Sequence, residues 1–214
     1  SCGSRVCVRP CAESVCVSPP CERGSNATTM NFIFVSPHFP KTYWNFCDRL
    51  HRNGVNVLGI GDAPFEEIPS ELRHCLTEYY RVGDLGNYDE MVRAVGYFTF
   101  HYGKIDWLES NNEYWLEMDA QLRTDFNITT GAQNDFIARI KFKSRMKEGY
   151  RAAGVPVARH HMVSTLDAAR DFIREVGYPV IVKPDNGCGA EATYKLRDET
   201  DLRAFYAEPP SVPY

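Results

Sequence analysis

The feature that most constrains this chain is a regular exchange of hydrophobic periods. From Met30 onward, short apolar runs alternate with segments whose apolar residues recur at helical spacing. Asn31-Phe-Ile-Phe-Val-Ser36 is such a run, followed by the Pro-containing loop Ser36-Pro-His-Phe-Pro-Lys41. A run that is apolar at nearly every position has no polar face to offer water, so it belongs in a sheet covered on both sides. Tyr43 to Asn53 then sets Trp44, Cys47, Leu50 and His51 at helical spacing, Gly54 suits a helix end, and Val55 to Ile60 is a second strand. Leu76 to Val82 predicts a third strand, a helix runs from Asn87 to about Tyr102, Ile105 to Glu109 is a fourth strand, and another helix covers about 113–125. Strands and helices alternating at this interval predict a parallel, helix-covered sheet with right-handed crossovers.

Such sheets take ligands at the carboxyl ends of their strands, which here carry Ser36, His38, Gly61, Asp62, Glu109, Asn111 and Asn112. Neither a Gly-x-Gly-x-x-Gly fingerprint nor a Gly-x4-Gly-Lys-[Ser/Thr] loop follows a strand, so nothing in this half points to phosphate. The balance of 24 basic and 28 acidic residues gives a net charge of −4, which argues against a nucleic-acid footprint. No apolar run reaches the roughly 18 residues of a membrane span, and no signal-like amino terminus is present, so the expectation is a cytoplasmic chain without a membrane partner.

Five of the eight cysteines (Cys2, Cys7, Cys11, Cys16 and Cys21) fall in the first 21 residues. They include no Cys-x2-Cys pair and no nearby His, so zinc is not expected there. Residues 1–29, rich in Cys, Pro and Ser, lack a sustained apolar period and are expected to be a disordered extension.

The second half changes character. Ile140 to Ala153 reads as one basic amphipathic helix ended by Gly154 and Pro156, Ala158 to Val163 as a strand, and Leu166 to Val176 as a helix opened by Ser164 or Thr165 and closed by Gly177. Tyr178-Pro-Val-Ile-Val-Lys183-Pro-Asp-Asn-Gly187-Cys-Gly189-Ala-Glu-Ala-Thr193-Tyr-Lys195-Leu196 then brings a lysine to the end of an apolar strand, a loop with two glycines, and an antiparallel return strand. A lysine so placed points an ammonium at a polyanion, while glycine lets backbone N–H groups approach phosphate oxygens. His160 and His161, adjacent on the expected strand, would point to opposite faces, which is poor geometry for one metal. Cys188 has no base demonstrably near it and reads as a small loop residue.

Lys143-Ser-Arg-Met-Lys147, Ala153-Gly-Val-Pro-Val157 and Gly177-Tyr-Pro-Val-Ile-Val-Lys183-Pro together resemble the first subdomain of ATP-grasp ligases. The closest resemblance is to proteins described as carboxylate–amine ligases or as similar to the carbamoyl-phosphate synthase large chain. The resemblance covers roughly Met30 to Phe205 and implies an α/β architecture: a Rossmann-like pre-ATP-grasp parallel sheet over 30–138, then a small α+β first ATP-grasp subdomain over 139–214. It implies that Lys143 and Lys183 contact ATP phosphates and that Gly187 and Gly189 belong to a lid over them; Lys141 and Lys147, close by in sequence, are the alternatives to Lys143 for the first of these contacts. Glu109 and Glu113 are weaker candidates for facing the acceptor substrate. The implied chemistry is ATP-driven formation of an acyl phosphate from a small carboxylate, displaced by an amine. The Mg²⁺ ligands of the family lie in a second subdomain, so none is expected in these residues. The chain is expected to be an incomplete ligase, with an apolar face open to homo-oligomerisation. The alternative is a non-catalytic nucleotide- or metabolite-binding regulatory module.

Overall fold

The computed structural model describes residues 6–8 and 14–17 as backbone, and residues 29–187, 192–208 and 214 in full. The chain divides into two compact units, Ser1–Asn134 and Asp135–Tyr214, so the division falls a few residues before the expected boundary at 138–139.

The first unit is a six-stranded sheet. Its parallel core is β3 (Asn31–Val35), β4 (Asn56–Gly61), β5 (Glu78–Arg81) and β6 (Trp107–Glu109), in the order β5-β4-β3-β6. Strand periodicity sorts the side chains into two cores. Ile33, Val35, Leu58, Ile60 and Tyr80 face one way, onto α3 (Tyr88–Tyr102) and α4 (Leu116–Asp125), where Met91, Val95, Phe98 and Leu122 are buried. Phe34, Val57 and Tyr79 face the other, onto α1 (Trp44–Arg52) and α2 (Ser70–Cys75), with Cys47, Leu72 and Leu76. Glu78 begins β5 buried at 1% exposure, and its carboxylate accepts from the hydroxyls of Tyr97 and Tyr102, each at 2.7 Å. Those two bonds offset the cost of placing a charge in the interior. Asn87 caps α3 by accepting from the Glu90 N–H, as its position before the helix predicts.

Two short segments within the first 29 residues are described, and both are strands where a disordered extension was expected. β1 (Val6–Val8) and β2 (Ser14–Val17) pair antiparallel with each other, and β2 pairs antiparallel with β5. Alternating valines at 6, 8, 15 and 17 have strand propensity, and β5 would otherwise present an unpaired edge to receive them. The rest of that segment, with most of its cysteines, lies outside the described residues.

The second unit is built from α5 (Asn134–Lys141), α6 (Lys143–Ala152), α7 (Leu166–Val176), the antiparallel pair β7 (Val180–Val182) and β8 (Tyr194–Leu196), and α8 (Glu199–Ala207). Its core joins Ile173 of α7, Leu196 of β8, Leu202 and Phe205 of α8, and Tyr214, with Val180 and Val182 packed against them. Two expectations are corrected. The single helix over 140–153 is broken at Phe142, whose ψ of 123° is extended, so α6 starts afresh at Lys143. Residues 158–163 have no strand ladder. Their polar side chains do not alternate, and Val163 N donates instead to the Tyr214 carbonyl at 2.7 Å. Among the described residues, no helix is long and apolar enough to cross a membrane.

Candidate functional site

The richest chemistry sits where β7 ends and α6 begins. β7 turns Val180 and Val182 toward the core, so alternation puts Ile181 and Lys183 on its other side, where both are exposed. Pro184, buried, ends the strand. At Gly187 a side chain would bring its Cβ within 2.9 Å of the Pro184 ring, so the chain needs glycine there to fold back over that proline.

Asp185, between them, starts α6 from 41 positions downstream. Its carboxylate accepts from Ser144 N at 2.7 Å and from Ser144 Oγ at 2.8 Å, and its carbonyl accepts from Lys143 N at 3.0 Å. A helix start has N–H groups without intrahelical partners and a partial positive charge, and a carboxylate answers both. Lys143 Nζ completes the join, donating to the Gly187 carbonyl at 2.5 Å and to the Asp185 carbonyl at 3.4 Å. Lys143 and Gly187 are therefore brought together. Gly189, with Cys188, lies outside the described residues.

Lys143, Ser144, Lys183 and Asp185 line a cavity of about 560 Å³ together with Lys147, His160, Phe172 and Ile173. Burial holds the Lys147 ammonium below the usual lysine range, and Lys183 and Arg151 push in the same direction. Burial likewise lowers His160, with Lys147 and Arg151 adding to it against Asp185 and Glu148. Arg151 Nη2 lies 2.7 Å from His160 Nδ1; because a guanidinium only donates, Nδ1 accepts and the ring proton sits on Nε2. The His161 ring stacks on Phe172 with centroids 5.8 Å apart. The two histidines thus have separate partners.

Glu109 and Glu113 belong to the first unit. Glu109 Oε2 accepts from Arg123 Nη2 at 2.6 Å, and that arginine, 2% exposed, also donates to the carbonyls of Leu108 and Ala132, both at 2.8 Å. Glu109 is held as the counter-ion of a buried arginine. Glu113 opens a single 3₁₀ turn, Glu113–Trp115. At the carboxyl ends of β3 and β4, His38 Nε2 lies 3.1 Å from Asp62 Oδ1, while His38 Nδ1 is buried with no partner among the described residues. Asp185 and Ser144 were not singled out from sequence, and Lys147 was named only as a neighbour of Lys143. The Asp185–Ser144 pairing has no local signal, and Lys147 looks like any helix-surface lysine.

Among the described residues no group of three or more His, Cys, Asp or Glu side chains is arranged to hold a metal ion. The carboxylate nearest the lysines, Asp185, has both oxygens engaged by Ser144. These residues suit an oxyanion and do not fit a divalent cation, so no step through a metal is assigned to them.

Residues 138–211 match the family described as carbamoyl-phosphate synthase L chain, ATP binding domain. The carbamoyl phosphate synthase large chain of Vibrio vulnificus (strain CMCP6) is 30% identical over 82 residues, which is 38% of this chain and 8% of that one. Biotin carboxylase 1 of Bacillus subtilis (strain 168) is 30% identical over 86 residues, 39% of this chain and 19% of that one. Among solved structures, the biotin carboxylase domain of Hydrogenobacter thermophilus 2-oxoglutarate carboxylase, in complex with MgADP, ADP and bicarbonate, superimposes with a TM-score of 0.66 at 19% identity. It covers 85% of this chain and 40% of its own. N5-carboxyaminoimidazole ribonucleotide synthetase from Thermotoga maritima gives 0.58 at 15% identity, covering 86% of this chain and 45% of its own. The chain thus spans less than half the length of each of these proteins. Taken with the lysine-lined cavity, the match shows that residues 138–211 are ATP-grasp sequence of the kind found in carbamoyl-phosphate synthase large chains and biotin carboxylases.

Proposed function

We propose that the unit at 135–214 holds the polyphosphate of ATP, and that the protein to which it belongs joins a carboxylate to an amine through an acyl phosphate. The observation that carries this reading is that Lys143 and Lys183 line one cavity, with the Gly187 carbonyl held by Lys143, within the residues that match an ATP-binding domain. In this chemistry a carboxylate oxygen attacks the terminal phosphorus, ADP leaves with the displaced bond, and an amine then expels phosphate from the acyl phosphate.

This chain's own residues do the positioning. Lys183 sets a fixed positive charge at the end of a strand. Lys143, with two of its three donors on the carbonyls of Asp185 and Gly187, ties the loop to the start of α6 and keeps its charge at the same place. The Gly187 carbonyl, held by Lys143, fixes the start of the glycine-containing loop beside them. Fixed donors of this sort lower a phosphoryl-transfer barrier because they need no reorganisation as charge moves. The divalent cation used in such transfers would take its ligands from outside the described residues.

A second reading is a regulatory module that binds nucleotide or metabolite without turnover. Metal-dependent release of ADP, lost in Lys183→Ala, separates the two. Binding itself is tested by calorimetry of the 214-residue chain with ATP. Lys183→Ala should weaken binding by about 1.5–3 kcal/mol, the range of a hydrogen bond to a charged group. Lys183→Arg should restore only part of it, since a planar fork replaces a point charge. Equal affinity of wild type and Lys183→Ala removes the reading.

A further inference from the structure

The cavity carries more positive charge than the two expected lysines supply. Four cations line it, Lys143, Lys147, Arg159 and Lys183, against Asp185 as the one carboxylate among the described lining residues. That carboxylate is spent on Ser144. Lys143 is spent in part on the carbonyls of Asp185 and Gly187, and Arg159 Nη1 donates to the Glu175 carbonyl at 3.2 Å. Lys147 differs from them. It stands one turn beyond Lys143 on the same side of α6, half-buried, and has no hydrogen-bond or ion-pair partner among the described residues.

A half-buried ammonium among other cations is an unfavourable arrangement for the protein alone. The depressed basicity of Lys147, from burial and then from Lys183 and Arg151, expresses that cost. His160 lines the same cavity, and its Nδ1 is taken by Arg151, which leaves an Nε2–H donor on the ring. Two cations and a neutral donor, with no carboxylate left to satisfy them, form a site for an oxyanion.

We propose that Lys147, with Lys183 and the His160 N–H, forms an additional oxyanion-binding subsite in this cavity, beside the contacts made by Lys143 and the loop. The proposal rests on the ATP reading of the same cavity, where the polyphosphate is one source of the oxyanion and the carboxylate substrate is the other. Lys147 is then a binding residue rather than a surface charge.

The test uses Lys147→Met, which keeps the aliphatic stem and removes the charge, and Lys147→Arg, in the whole chain. Calorimetry with ATP, tripolyphosphate and acetate reads the oxyanion, and thermal melts read the fold. In ligand-free protein Lys147→Met should raise the unfolding midpoint of the second unit, because a repelling charge is gone; a lysine that merely supports the fold would lower it. Tenfold or greater weakening of both ATP and tripolyphosphate in Lys147→Met, partly recovered in Lys147→Arg, assigns the subsite to the polyphosphate. Loss of acetate binding with ATP unchanged assigns it to the acid substrate and equally supports the subsite. If Lys183→Ala weakens ATP while Lys147→Met binds all three as wild type does, the subsite is refuted and the ATP reading stands. If neither variant changes any affinity, both fall.

Discussion

Replacing Asp185 with alanine tests the claim that α6 is started by a residue far along the chain. The substitution removes the acceptor of the Ser144 N–H at 2.7 Å and of the Ser144 hydroxyl at 2.8 Å, and withdraws a negative charge from the first turn of the helix. An N-cap acceptor contributes about 1 kcal/mol, and the second bond about 1 kcal/mol more for a half-buried pair, so Asp185→Ala should destabilise the second unit by about 2 kcal/mol. Ser144→Ala loses only the hydroxyl bond and should cost about 1 kcal/mol. The double variant should then match Asp185→Ala, because the serine hydroxyl has already lost its partner, which gives a coupling of about 1 kcal/mol. Asp185→Asn keeps one acceptor oxygen and should recover about half. Urea unfolding followed by far-UV circular dichroism supplies the values. Trp44, Trp107 and Trp115 are the chain's three tryptophans and all lie in the first unit, so their fluorescence serves as an internal control that should not move. Costs of the single variants that add fully, or an Asp185→Ala loss below about 0.5 kcal/mol, would show that α6 does not depend on this carboxylate.

Two further outcomes concern the first unit. Arg123→Ala should cost about 3–5 kcal/mol, because it strands Glu109 and two carbonyls and empties the space beside Gly131, against which the guanidinium packs so closely that a side chain there would meet it at 3.0 Å; a tryptophan-monitored midpoint within about 1 kcal/mol of wild type would refute it. Asp119 is fully buried, one of its oxygens has no partner, and burial first, with Glu109 adding to it against Ser110 and Arg123, pushes its carboxyl up from 3.8 to about 7. The folded unit therefore holds a proton between those values that the unfolded chain has released, so stability falls as pH rises from about 4 through about 7. Tryptophan-monitored melts should show that fall in wild type, and Asp119→Asn should flatten it. Parallel profiles for the two proteins would show that Asp119 is not the group responsible.

What the amino-acid order determined by itself is whatever depends on neighbours a few residues apart. The apolar runs at 31–35 and 56–61 became the central parallel strands because a stretch with no polar face is stable only between two covered faces. Asn87 and Thr165 cap α3 and α7 by reaching N–H groups three residues on. Lys183 was legible because the strand before it is apolar and the residues after it cannot continue a strand. The six-residue helix Ser70–Cys75 was not legible, since it is too short to display a period and takes its stability from burying Leu72 and Cys75. Residues 158–163 have strand-like length, but a strand exists only through a ladder partner, and partners are a tertiary matter. The same holds for β1 and β2, whose place depends on the edge that β5 offers. The site divides along the same line. Local motifs marked Lys143 and Lys183, whereas only the fold decided that Asp185 would start a helix 41 residues upstream, that Lys143 would hold a loop, and that Lys147 would sit near Lys183 with no partner among the described residues. Charges interact through space, and the distances that set their energies exist only after the chain has folded.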